Sequence, residues 1–381
     1  MLKNNLKMIT LCFVFISLCP SCLGSAEDIQ VNVNSYILID PISGRVLMEK
    51  ASYEKYPMAS TTKVMTAIIA LERGDISSKV ITSPRAASVG GSSFWLRSGE
   101  EMTLENMLYG LLLPSGNDAA VAIAEHIAGD EDSFVELMNQ KALELGAINT
   151  RYKNPHGLDA PGHYTTARDL SIISRYAWSI PKFREIVGTP SKAIKEGAFT
   201  RQLYNTNRLL TGFNGANGIK TGYTGKAGRC LTASATRDGL HLMSVVLGAD
   251  DHFSASYNLL SYGFSNYKLM DIIEEDAEYA SVPVKNGVKD ELQLLAKTSI
   301  TLPVREGEMV EFRLIAPKSI DAPIVMGHQV GEIEVFIDNK KAFSTSLIAS
   351  TDIRKRMFFD IYLKIIDEWV KNRFRKTFTS V

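Results

Sequence analysis

Strand-like alternation of apolar and polar residues marks Val33–Ile39 and resumes at residues 45–48, after the turn chemistry of Pro41-Ile42-Ser43-Gly44. Helical signals then dominate from Thr61 to about Trp178, where Val64, Met65, Ile68, Ile69 and Leu71 crowd one segment and residues 119–127 form another. Strand patterns return at 218–220 and 230–236, and Arg237-Asp238-Gly239 turns the chain into 240–248. Strands at both ends of a mostly α middle predict one antiparallel sheet in which the two sequence ends meet, with the helices packed on it.

A last helical stretch is expected near Tyr257 to Glu275, followed by short β-rich runs at 299–304, 309–315 and 332–337 between Gly and Pro turns. With 381 residues, one substantial core and a smaller second unit are expected. Lys3 and Lys7 precede an apolar run at 8–19 too short to span a bilayer, and Gly24-Ser25-Ala26 offers small residues for cleavage before Glu27. The expected organisation is a signal peptide (1–26), a catalytic domain (27–277), a small β-rich domain (278–350) and an amphipathic helix (351–381). Cys12, Cys19 and Cys22 would leave with the signal peptide, so Cys230 alone remains and no intrachain disulfide can form.

Lys plus Arg total 42 and Asp plus Glu total 42, so the long-range field that draws a protein to nucleic acid is absent. His126, His156, His163, His241, His252 and His328 show no metal-ligand spacing, and neither a metal nor a cofactor is expected.

Three short motifs remain. In Ser60-Thr61-Thr62-Lys63 the lysine lies three residues after the serine, which on a helix puts both on one face. The same spacing recurs at Ser52/Lys55, Ser179/Lys182 and Ser265/Lys268, but Pro57 and Pro181 disfavour a helix at the first two of these. Ser60 instead directly precedes a long apolar helical run; its ordinary role there would be an N-cap. Pro114-Ser115-Gly116-Asn117 falls between two helical segments, where the common role is also a helix cap. Lys220-Thr221-Gly222 occurs once and ends a predicted strand; the common role is an exposed edge lysine. Each is ordinary alone, but the ordered set resembles the Ser-x-x-Lys, Ser-x-Asn and Lys-Thr-Gly elements of penicillin-binding proteins and class A β-lactamases.

The likeness is wider than the motifs. Residues from about 36 to 270 resemble the D-alanyl-D-alanine carboxypeptidases, the low-molecular-mass penicillin-binding proteins. Whole phrases carry it: 113–120, Asn154-Pro155-His156-Gly157-Leu158, Tyr164-Thr165-Thr166-Ala167, Asn205-Thr206-Asn207 and 218–224. The resemblance implies an α/β (α+β) penicillin-binding, serine β-lactamase-like domain followed by an all-β domain. It implies Ser60 as nucleophile, Lys63 as base, Ser115 as proton donor to the leaving amine and Asn117 as orienting amide. Lys220 and Thr221 would hold the substrate carboxylate, Gly222 would leave room for the ligand, and the backbone of Tyr223 with that of Ser60 would form the oxyanion hole. The expected substrate is a peptidoglycan stem peptide ending in D-Ala-D-Ala, with β-lactams as inhibitors. Tyr223 stands where some relatives have His.

Two alternatives stay open: a serine β-lactamase, for which Glu136-Leu137-Met138-Asn139 is a partial echo of a deacylating motif, and a non-catalytic penicillin or peptidoglycan sensor. In the tail, Phe358, Ile361, Tyr362, Ile365 and Trp369 share one helical face, with Asp360, Lys364, Asp367 and Lys371 opposite. The flanking Arg354, Lys355, Arg356, Arg373, Arg375 and Lys376 suit an anionic membrane surface. The expected location is the periplasm or the outer face of the cytoplasmic membrane, with peripheral anchoring.

Overall fold

In the computed structural model, which describes residues 8–11, 31–196, 199–363, 365, 366 and 369, the strands from the two ends of the catalytic region lie side by side. The five-stranded sheet runs Val46–Lys50, Val33–Ile39, Leu240–Ala249, Gly228–Arg237, Ala216–Thr224. All its pairings are antiparallel, with Tyr36 opposite Val246 and Lys220 opposite Thr232. Asp238 and Gly239 both take positive φ, 48° and 81°, which is the turn geometry that suits a tight hairpin. The helical middle is as expected: Lys63–Arg73 buries every residue from Lys63 to Ala70, and Leu104–Leu112 and Asn117–Ala128 pack into the same core. A helix apolar on all sides belongs in an interior, and this one carries the second motif residue, Lys63, into it.

The chain divides into two compact units, Gly24–Tyr267, and Lys268–Val381 together with Met1–Leu23. The helix expected near Tyr257 to Glu275 is displaced. It spans His252–Asn266, capped by Asp251, whose carboxylate accepts the N–H groups of Phe253 and Ser254. Residues from 267 onward are strand, Tyr267–Ile273, because Ile272 and Ile273 are buried in the core of the second unit. That unit holds a seven-stranded sheet in the order Met8–Leu11, Val310–Pro317, Gln329–Ile337, Lys340–Ala349, Glu291–Ala296, Glu278–Lys285, Ile320–Asp321. Its core is built on Leu292, Leu294, Leu302, Ile333, Val335 and Leu347.

Of the expected export signal only Met8–Leu11 is described, as an edge strand antiparallel to Val310–Pro317; the cleavage site lies outside the described residues. In the tail, residues 358–363, 365, 366 and 369 are helical, and Phe358, Ile361, Tyr362, Ile365 and Trp369 are exposed. Arg354 pairs with Asp360 and Arg356 with Asp290, while residues from 370 on lie outside the described residues. Among the described residues no helix is long and apolar enough to cross a membrane.

Candidate active site

Ser60 sits in a single 3-10 turn, Ala59–Thr62, that opens directly into the Lys63–Arg73 helix. Two threonine hydroxyls tie the turn down: Thr61 Oγ1 donates to the Met58 carbonyl at 2.6 Å and Thr62 Oγ1 to the Ala59 carbonyl at 2.8 Å. Ala59 has φ 47°, a left-handed conformation that costs a non-glycine residue about 1–2 kcal/mol. The neighbours on both sides have no side chain to spare. A Cβ on Gly157 would lie 2.0 Å from the Ala59 carbonyl oxygen, and one on Gly222 would lie 2.9 Å from the Ser60 nitrogen. The Ala59–Ser60 peptide is therefore clasped between two backbones that only glycine lets so close.

Ser60 caps nothing; its Oγ faces Lys63 Nζ at 2.9 Å. Lys63 is fully buried, and the same Nζ lies 2.7 Å from Asn117 Oδ1 and 2.7 Å from the His156 carbonyl. The Asn117 amide is oriented by its other end, where Nδ2 donates to the Gly90 carbonyl at 2.7 Å. Both Asn117 Oδ1 and the His156 carbonyl accept only. In the structure Nζ donates to all three oxygens; once the amine is neutral, its two N–H groups can stay on the acceptor-only pair and its lone pair can turn to the Ser60 hydroxyl. Burial, and then the charge of Lys220, push the Lys63 pKa well below its ordinary value, with Asp118 acting the other way.

Ser115 occupies the turn between Leu104–Leu112 and Asn117–Ala128, with φ 68°. The helix cap there is Gly116, so the capping role does not fall to Ser115 or Asn117. Ser115 Oγ is buried and has no hydrogen-bond partner among the described residues, which leaves a hydroxyl available to a ligand. Asp118 fastens the preceding loop, accepting from the Phe94 and Leu96 N–H groups and from Ser93 Oγ.

Lys220 lies on the edge strand Ala216–Thr224, yet it is 1 % exposed, and burial holds it down to about 7. The strand runs on past Gly222 to Thr224 and is tied by hydrogen bonds to the Asn205-Thr206-Asn207 segment. Asn207 Nδ2 donates to the Gly218 carbonyl at 2.8 Å, and the Thr206 and Thr221 hydroxyls are 2.7 Å apart. Tyr223 is exposed, with the Arg229 guanidinium over its ring.

The structure thus joins Ser60, Lys63 and Asn117 directly and sets Gly222 against the Ser60 nitrogen. Two of the rival serine–lysine pairs are engaged elsewhere: Ser52 Oγ donates to Glu49, and Lys182 pairs with Glu105 and Glu185. Asn139, in the partial deacylation echo, is structural, because its amide donates to the Val135 and Tyr152 carbonyls and accepts the Tyr152 N–H. Sequence reasoning missed the part played by the His156 carbonyl and Gly157. The phrase 154–158 was the available signal, but a backbone carbonyl has no residue-type signature. Among the described residues no group of His, Cys, Asp and Glu could hold a metal.

Residues 23–251 match the family model described as D-alanyl-D-alanine carboxypeptidase, and residues 267–355 match that of the penicillin-binding protein 5 C-terminal domain. The chain is 34% identical over 387 residues to the D-alanyl-D-alanine carboxypeptidase DacF of Bacillus subtilis, covering 97% of this chain and 100% of that protein. It is 35% identical over 283 residues to DacA of Escherichia coli, covering 70% and 69% respectively. The crystal structure of penicillin-binding protein 5 from Haemophilus influenzae superposes with a TM-score of 0.75 at 29% identity, over 89% of this chain and 100% of that one. On the strength of these matches, the chain belongs to the D-alanyl-D-alanine carboxypeptidase family of serine peptidases.

Proposed function

We propose that this chain removes the terminal D-alanine from peptidoglycan stem peptides through an acyl-enzyme on Ser60. The observation that carries this is the single amine of Lys63, held between two acceptor-only oxygens and the Ser60 hydroxyl. Lys63 accepts the hydroxyl proton as Ser60 Oγ bonds to the carbonyl carbon of the scissile peptide. The oxyanion faces the backbone N–H groups of Ser60 and Tyr223, where each donor is worth on the order of 10²–10³ in rate. The carbon–nitrogen bond then breaks as Ser115 passes its proton to the departing D-alanine amine and takes up the proton that Lys63 removed from Ser60; water then cleaves the ester, giving its hydroxyl to the acyl carbon and a proton back to Ser60 Oγ. Asn117 orients Lys63 and the substrate amide, and Lys220 with Thr221 receives the terminal carboxylate. A β-lactam presents an amide and a carboxylate to the same groups and acylates the same serine.

The test is free D-alanine release from a muramyl pentapeptide, followed against pH. Lys63 works as a base only when unprotonated, so kcat/KM rises as pH climbs from the acid side. Lys220 must be protonated to hold a carboxylate, so kcat/KM falls again above about 7, where burial places its proton loss. A profile flat across this range, or no D-alanine released, contradicts the assignment.

The reading extends to location. Lys3, Lys7 and the apolar run after them support export, and the exposed apolar residues of the tail helix support a peripheral anchor on the outer face of the cytoplasmic membrane. Deleting residues from 352 onward is expected to move the protein from the membrane pellet to the soluble fraction; unchanged sedimentation rejects the anchor.

A further inference from the structure

His163 is 5 % exposed and has no part in the chemistry above. Its Nδ1 accepts the backbone N–H of Lys153 at 3.0 Å, so in the neutral ring the proton sits on Nε2. Burial keeps the ring neutral at ordinary pH by holding its pKa down to about 4, with the Asp159 charge acting weakly the other way. Nε2 lies 2.8 Å from Thr62 Oγ1. The Thr62 hydroxyl has one proton, which goes to the Ala59 carbonyl at 2.8 Å, so its oxygen accepts from His163. Every direction in the chain from Lys153 through His163 and Thr62 to Ala59 is then fixed. It ends on the left-handed residue that precedes Ser60, at the same carbonyl that Gly157 crowds. The Tyr152 ring packs against the imidazole, with 5.9 Å between centroids and the planes 70° apart.

We infer that His163 is a positioning residue for acylation: through Thr62 it holds the strained turn that aims Ser60 Oγ at Lys63. This rests on Ser60 being the nucleophile. Geometry of this kind matters to rate, since a displacement of about 1 Å can cost on the order of 10²-fold.

The experiment measures the rate of acylation of the full chain by labelled penicillin in four variants and the wild type. Glutamine carries an N–H at the reach of Nε2 and can still serve Thr62, whereas asparagine reaches only the Nδ1 position and can still serve Lys153. His163→Gln is expected to acylate within about threefold of wild type, and His163→Asn about tenfold or more slowly. Thr62→Val should slow acylation as His163→Asn does, while Thr62→Ser, which keeps the hydroxyl, should not. Asparagine acylating at the wild-type rate, or glutamine falling as far as asparagine, overturns the inference. Should His163→Asn fail to fold, the threonine pair decides, and Thr62→Val at the wild-type rate overturns it equally. A wild type that takes no label on Ser60 removes the nucleophile assignment itself, whereas a labelled wild type with an equally fast His163→Asn removes only the part given to His163.

Discussion

Lys63→Ala is expected to slow acylation by labelled penicillin by about 10²–10⁴-fold, the contribution of a positioned general base. The size follows from what the amine touches. With Asn117 Oδ1 and the His156 carbonyl each taking an N–H, the lone pair has one remaining direction, toward Ser60 at 2.9 Å. Removing it leaves the serine a weak nucleophile with no other base in contact among the described hydrogen bonds. Alanine also strands two buried acceptors at about 1–3 kcal/mol each, so the melting temperature falls as well. Lys63→Arg separates a base from a mere cation, because a guanidinium keeps its proton in a protein. Arginine is therefore expected to be as slow as alanine. A wild-type rate in either variant contradicts the role.

Much of the layout was legible because it depends on patterns that the sequence displays openly. Alternation at 33–39 and the turn at Arg237-Asp238-Gly239 leading into the β-rich run 240–248 placed the central strands, and the apolar run after Lys63 placed a buried helix. The serine–lysine pair was legible from spacing alone, but its choice over Ser52/Lys55 and Ser179/Lys182 depended on which serine precedes a continuous helix. The common roles of the three motifs each failed for a local reason. Ser60 turns its hydroxyl to an amine instead of a backbone N–H, Gly116 takes the cap position before Asn117, and Lys220 sits on an edge strand yet is buried.

What was not legible is mostly backbone or very short. The three-residue strands Lys79–Ile81 and Glu101–Thr103 have too few residues to show a period. The helix end at Asn266 carries no glycine or proline stop; burial of Ile272 and Ile273 in a separate core decides it. Ala59 gives no warning of a positive φ, which the clasp of Gly157 and Gly222 makes possible.

The central claim is that one hydroxyl forms the covalent bond, and the mass of the intact protein after penicillin treatment tests it most directly. Ser60→Ala deletes a single oxygen that lies 2.9 Å from Lys63 and leaves the turn's own ties, Thr61 to Met58 and Thr62 to Ala59, in place. The fold is therefore retained and the loss of acylation is complete. The wild-type chain is predicted to gain the mass of one penicillin and Ser60→Ala to gain none; an adduct that persists in Ser60→Ala would contradict the account.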